Sequence, residues 1–368
     1  MNSDSFILTR LLYVKDEVVI SLRMSILQKK KEDSLFWAYE LYYSGFEEEL
    51  FQIIWTIYFD FFATLNPLFE SYILKKENEW NSEEKSDTII GLLIENLLIR
   101  SFNTDIFMLS HTQENNEKSN ENITEKNVIE WITSTSTSIS NNYQQIAQYI
   151  FTKNIEETEP MIRTVFKKIN AEIKIKKLNK FSNPDIMKKQ LLSRIVGYYS
   201  QSNHSKGKQF YLKIEESKIE PFKLKELCSI KPYRFLTQYC TKGTNDHGYL
   251  SLFASTLIRN QLQDIKTAYH NDWLYYASFS PIWLHRIQQY NGIRDNEKKQ
   301  IVFPNEDREE EFYNRWNYEP DEQPRELKQK TIPEINITIN DLELSSCSWE
   351  MFQENYNKNG IVFIQTLL

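Results

Sequence analysis

The chain has 368 residues, a formal net charge of −7 and 40% hydrophobic residues, which allows a substantial buried core and is unremarkable for a soluble protein. Three cysteines, Cys228, Cys240 and Cys347, are too few and too scattered for a disulfide framework or a zinc site. Gly (8) and Pro (10) are scarce while Ile, Asn, Lys, Tyr and Phe abound, and because all five have A/T-rich codons the bias reports a genome more than a fold.

In chain order, the opening MNSDSFILTRLLYVKDE carries acids and lacks an apolar stretch followed by small residues, so it does not read as a secretory signal. A reducing, cytoplasmic setting is expected, and the sequons at Asn122, Asn203 and Asn336 are then chance matches. From Ser34 to Pro67 the sequence packs Trp37, Trp55 and ten Tyr or Phe residues around one glycine. Leu35, Phe36, Tyr39, Tyr42 and Tyr43 recur at helical spacing, and Gly45 ends that helix because it accepts a left-handed conformation. Glu47, Glu48 and Glu49 open the next helix at the positive end of its dipole, and Asn66-Pro67 stops it. Between Leu50 and Phe62 apolar residues run nearly all the way round, which predicts burial on more than one side. That run is too short for a membrane span and contains Gln52 and Asp60. So much aromatic surface must be buried against further helices, so the segment is expected at the centre of a helical core, with Trp37, Tyr39, Tyr43, Trp55 and Tyr58 as its candidate interaction core.

A further buried helix is predicted over Thr88 to Arg100. Residues 110–142 read as a polar flexible loop, densest in HTQENNEKSNENITEK, although Trp131 and Ile132 would suit a helix. Helical pattern returns over 143–175. Strand character is read at QFYLKIE after Lys208, at Ile301 to Phe303, at Ile335, Ile337 and Ile339, and in the final IVFIQTLL. Tyr249 to Tyr290 reads as helical, with Trp273, Tyr275, Tyr276 and Trp283 as its core. The expected class is mainly α, α+β overall: an N-terminal helical bundle or HEAT-like array over 1–109, a basic helical segment over 143–205, and a mixed domain over 206–368 with an acidic segment at 304–327.

Charge is distributed unevenly. From Arg163 to Lys213 there are 13 Lys or Arg against two acids, Glu172 and Asp185. Lys167, Lys168, Lys174, Lys176, Lys177, Lys180, Lys188, Lys189 and Arg194 are candidates for contact with nucleic-acid phosphates, with Phe166, Phe181, Tyr198, Tyr199, Phe210 and Tyr211 available for base stacking. A solvated helix face in a Lys-rich chain would give the same pattern. Glu306 to Glu326 holds nine acids and three arginines, and would either cover the basic stripe or form a surface loop anchored by Phe312, Tyr313, Trp316 and Tyr318.

Catalytic signals are sparse. His270-Asn271-Asp272 has the spacing of an iron facial triad, with His285 as the later histidine, but lacks the strand context. Asp185 with Glu216 and Lys218 matches the acid and E-x-K elements of a metal-dependent nuclease, a short pattern that recurs by chance in such a composition. There is no Gly-rich phosphate loop, no G-x-S-x-G, no H-E-x-x-H and no C-x-x-C, so a non-enzyme with no cofactor or metal is the expectation.

Over residues 19–70, the order Leu35-x-Trp37-Ala38-x-x-Leu41-x-x-x-Gly45, followed by an apolar helix ending at Asn66-Pro67, resembles the C-terminal helical domain of the replication-associated recombination ATPases. That resemblance implies oligomerisation. The family's paired arginines are replaced within Glu49 to Ile53, and its Glu-Asp pair by Phe59-Asp60, while the phosphate-binding motif of the motor is absent. With the A/T-driven composition, the blocks FWAYELYYSGF, WLYYASFSPIWLHR and FYNRWNYEPDEQP resemble proteins of giant DNA viruses similar to mimiviruses. This implies a viral factory or virion and carries no site. The expected function is a non-catalytic scaffold assembling protein partners, in one form similar to the central subunit of the cap-binding translation initiation complex. The alternatives are a nucleic-acid-binding accessory factor of replication or repair, acting through residues 163–213, and a virion structural protein.

Overall fold

A computed structural model of the chain describes residues 6–82, 85–103, 105–107, 109–110, 123–133, 142–169, 178–199, 210–223 and 271–316. Among these the protein is mainly helical, with one two-stranded antiparallel sheet. It divides into two compact units, and both draw on separated stretches of chain. The expected contiguous domain at 1–109 is divided between them: of the described residues, those of 6–50, 86–98 and 212–316 belong to the first unit and those of 51–85 and 99–211 to the second. Composition and periodicity mark helices but carry no information on which distant segments pair.

The first unit begins with a tight turn closed by the bridge between Leu8 and Val14. Helices α1 (Lys15–Leu27) and α2 (Lys31–Tyr42) pack together, and α2 also packs on α5 (Thr88–Leu98). Acids in the first turn of α2, Glu32 and Asp33, suit the positive end of its dipole. Tyr13 meets Trp37 edge to face at 5.1 Å, and both are buried. Helix α2 ends as the sequence predicts: Gly45 has φ +90°, and an added Cβ would lie 2.5 Å from Cβ of Pro281. Gly45→Ala is therefore expected to destabilise the protein by about 1–3 kcal/mol, seen as a lower urea midpoint, through backbone strain and this clash. The unit continues through α10 (Glu220–Lys223), which follows a 3-10 turn at Glu216–Lys218.

It then adds α11 (Trp273–Ala277), α12 (Pro281–Gln288), strands β1 (Ile293–Asp295) and β2 (Gln300–Val302), and α13 (Glu306–Trp316). Trp273, Tyr275, Tyr276 and Trp283 are core, as the sequence suggests, packed with Phe6, Leu8, Leu12, Val14 and Phe312. The strand expected at Ile301–Phe303 is present as β2, one residue earlier, and pairs with β1 in the register Ile293–Val302, Arg294–Ile301, Asp295–Gln300. Residues 210–215 form no strand, a correction to the reading of QFYLKIE. The strands expected at 335–339 and 361–368 lie outside the described residues.

Helix α3 (Glu47–Ile57) runs from the first unit into the second and passes into a π-turn, Tyr58–Phe62, closed by Ala63 N donating to Tyr58 O at 2.8 Å. All five residues of this wide turn are buried, which is how the all-round apolar run is accommodated. The second unit then carries α4 (Phe69–Ser82), α6 (Glu125–Thr133), α7 (Tyr143–Thr152), α8 (Ile155–Ile169) and α9 (Pro184–Tyr199). Helix α6 falls inside the expected flexible loop at 110–142 and corrects it: Val128 and Ile132 are buried, and α6 packs on α8. Residues 111–122 and 134–141 of that loop lie outside the described residues.

Candidate functional site

The aromatic residues of the candidate interaction core serve the protein's own interior. Trp37, Tyr39, Trp55 and Tyr58 are fully buried, as the aromatic content of the segment requires. Tyr39 donates to Asp87 O (2.9 Å) and accepts from Gly91 N (3.1 Å), which fixes α5 against α2. Burial raises the Tyr39 hydroxyl well above its usual range, and the Asp87 carboxylate adds to the effect. Half-buried Tyr43 donates to the Asp87 carboxylate and lies under the Arg10 guanidinium, 5.0 Å from its ring centroid. Trp55 Nε1 donates to Glu77 Oε2 (2.8 Å), and Tyr58 donates to Asn66 O (3.0 Å).

Much of the described basic stripe also turns inward. Lys189 Nζ sits 2.8 and 3.0 Å from the two carboxylate oxygens of Asp60, which the π-turn buries completely. Glu70 Oε1 accepts from Arg194 Nη2 (2.8 Å), Gln190 Nε2 (2.5 Å) and Asn179 Nδ2 (2.7 Å). Lys188 Nζ donates to Phe151 O at 2.8 Å. These contacts tie α9 to the π-turn, α4 and α7, so Lys188, Lys189 and Arg194 are structural in this unit. A one-dimensional charge count cannot separate a cation that faces water from one that meets a distant buried carboxylate. Lys167, Lys168 and Lys180 are exposed, while Lys174, Lys176 and Lys177 lie outside the described residues.

Of the six aromatics considered for stacking, Phe166 is buried and Phe181 packs on Trp55 at 5.0 Å. Tyr198 and Tyr199 are half-buried against Phe166. Tyr211 stacks on Tyr72 at 4.2 Å. Phe210 alone of the six is exposed, at 64%.

Phe210 belongs to an arrangement the sequence did not reveal. The Arg100 guanidinium lies 3.7 Å from the Phe69 ring centroid and 5.2 Å from that of Tyr211, and Nη2 donates to Phe210 O at 3.3 Å. Burial lowers the Arg100 pKa, with the nearby tyrosines opposing that shift. The residue before each member of this stack is an exposed apolar side chain: Leu68 (52%), Ile99 (45%) and Phe210. A cation-aromatic stack flanked by exposed Leu, Ile and Phe has the composition of an interface centre. Ile99 carries no signal in the sequence, because the helix predicted over Thr88 to Arg100 reads as buried throughout, and Leu68 follows the Asn66-Pro67 stop outside any predicted element.

The nuclease-like residues are divided between the two units. Asp185 is exposed in the first turn of α9, in the second unit, where Asn183 Oδ1 accepts from its backbone N–H (2.9 Å). Glu216 and Lys218 sit on the 3-10 turn of the first unit, and Glu216 lies 3.7 Å from Lys223. His285 is exposed and exchanges a hydrogen bond with Gln289, and His270 lies outside the described residues. Among the described residues no three His, Cys, Asp or Glu side chains are grouped to hold a metal ion, and no helix is long and apolar enough to cross a membrane. The chain matches no protein-family model, no curated protein and no solved structure.

Proposed function

We propose that this chain is a non-catalytic helical scaffold that assembles protein partners, working in the cytoplasm of a cell infected by a giant DNA virus. The viral setting is supported by the A/T-driven composition and the three aromatic blocks. The scaffold reading is carried by one observation: the Phe69–Arg100–Tyr211 stack keeps Leu68, Ile99 and Phe210 in solvent. Aromatic and Arg side chains of this kind concentrate binding energy, and removing one such anchor typically costs more than about 1–2 kcal/mol.

The test is affinity purification of the tagged chain, with and without nuclease, beside the variant L68S/I99S/F210S. Partners that survive nuclease and are retained about tenfold less by the variant are the expected result. Circular dichroism should show the variant folded, since all three side chains are exposed. Partners that vanish with nuclease would overturn the scaffold reading and favour a nucleic-acid-binding factor using Lys167, Lys168 and Lys180.

A further inference from the structure

The hairpin of the first unit has two unlike faces. Arg294 turns inward: Nε donates to Ser278 Oγ (2.8 Å), Nη2 donates to Ser278 O (2.6 Å), and the guanidinium lies 4.0 Å from the Phe279 ring centroid. Its cross-strand partner Ile301 packs on the aromatic core. Because side chains alternate along a strand, Ile293, Asp295, Gln300 and Val302 belong to the opposite, outer face. Ile293 and Val302 are register partners and are 72% and 46% exposed, so a directly opposed apolar pair stands in water. Among the described residues the sheet has two strands, and the edge of a strand is a template on which a further strand can pair.

Val302 is the last residue of β2, and the chain runs from it directly into α13. That helix exposes Glu306, Asp307, Glu309, Glu310 and Glu311. Its two arginines are engaged within the helix: Arg308 Nη1 bonds Glu311 Oε2 at 2.7 Å, and Arg315 lies 5.2 Å from the Trp316 ring centroid. An exposed apolar strand pair is thus followed at once by a net negative helix.

We propose that this face docks a basic, extended segment of a partner protein. The segment adds a third strand to the hairpin, its alternate apolar side chains extend the Ile293–Val302 pair, and its Lys or Arg side chains answer the carboxylates of α13. A second copy of this chain fits poorly, because edge-to-edge pairing would bring two acidic α13 helices towards one another, and like charges across an interface are costly. The proposal rests on the scaffold reading and gives the class of partner.

The probe is a fluorescein-labelled peptide of about seven residues alternating Lys and Val, titrated into the full chain by anisotropy, with hydrogen exchange as a second readout. Saturable binding that protects amides of residues 293–302 is expected, and a Lys/Ser peptide should bind at least about tenfold more weakly. I293S/V302S should weaken Lys/Val binding by at least about tenfold, and E306Q/D307N/E309Q/E310Q should weaken it and flatten its salt dependence. All four positions and the apolar pair are exposed, so both variants should fold. Binding that I293S/V302S leaves unchanged overturns the proposal. So does a dimer in sedimentation that I293S/V302S dissolves, which would assign the face to a second copy. L68S/I99S/F210S should bind the peptide normally, so failure of the peptide and failure of the scaffold reading are read from different variants.

Discussion

Arg10→Met is expected to destabilise the first unit by about 3–5 kcal/mol, because it strands a buried carboxylate. Glu40 is fully buried on α2; its Oε2 accepts from Arg10 Nε at 2.8 Å and its Oε1 from Leu11 N at 3.0 Å. Arg10 is also nearly fully buried, and its Nη2 donates to Phe222 O at 2.6 Å. Taking two charges out of water is recovered only when each has its partner, so removing one costs far more than the pair contributes. R10M/E40Q should therefore recover much of the lost stability, because the neutral amide oxygen still accepts from Leu11 N. The exposed pair Lys15–Glu49, at 2.5 Å, is the internal control, and Glu49→Gln should cost less than about 1 kcal/mol. Urea unfolding followed by hydrogen exchange in α2 reads all three. A loss in R10M no larger than that in Glu49→Gln would sink the argument.

This pair also shows where sequence reading stops. The helices of residues 31–62 and 88–98 were legible, because apolar spacing, a left-handed glycine and acids in the first turn are local signals. The aromatic core of α11 and α12 was legible for the same reason. The two-unit arrangement was not: Tyr39 meets Asp87, and Asp60 meets Lys189, across separations that no local pattern encodes. Which candidate site residues face water was not legible for a related reason. A run of lysines or an aromatic stripe states how much charge or apolar area must be placed, and only tertiary packing decides which side chains face water. Trp37 and Tyr58 went inside, as their apolar spacing predicts, but Arg194 found Glu70 and Ile293 was left exposed, and neither is marked in the sequence. The β1–β2 hairpin was half visible. Asp295-Asn296-Glu297-Lys298 before the Ile301–Phe303 run is a turn signal that would have located β1 as well.

Asp105→Asn is expected to flatten the pH dependence of the second unit's stability between about pH 4 and pH 7. Asp105 is buried; its Oδ2 accepts from Asn103 Nδ2 at 2.9 Å, and its Oδ1 has no hydrogen-bond partner among the described residues. Asn103 is itself held by Thr64, whose Oγ1 donates to Asn103 Oδ1 at 3.0 Å, and by Phe61 O, which accepts from Asn103 N at 2.9 Å. The carboxyl is thus fixed beside the end of the π-turn and cannot swing out to water without breaking that loop. Burial pushes its pKa up to about 7 from an ordinary 3.8. Tyr143 also interacts with it and is itself raised by burial, so it stays neutral throughout this window. In the unfolded chain Asp105 releases its proton near pH 4, whereas the folded protein keeps it until near pH 7. The folded state therefore binds more protons across the window, and stability falls as pH rises. A gap of about three pKa units corresponds to a loss on the order of 4 kcal/mol, complete above pH 7 and absent below pH 4. The asparagine cannot ionise, so the slope should flatten even where its amide shifts the overall stability. Urea titrations at several pH values, read by hydrogen exchange in α9, make the comparison. Parallel pH profiles for wild type and Asp105→Asn would mean that Asp105 ionises at its ordinary pKa and that solvent reaches this carboxyl in the folded protein.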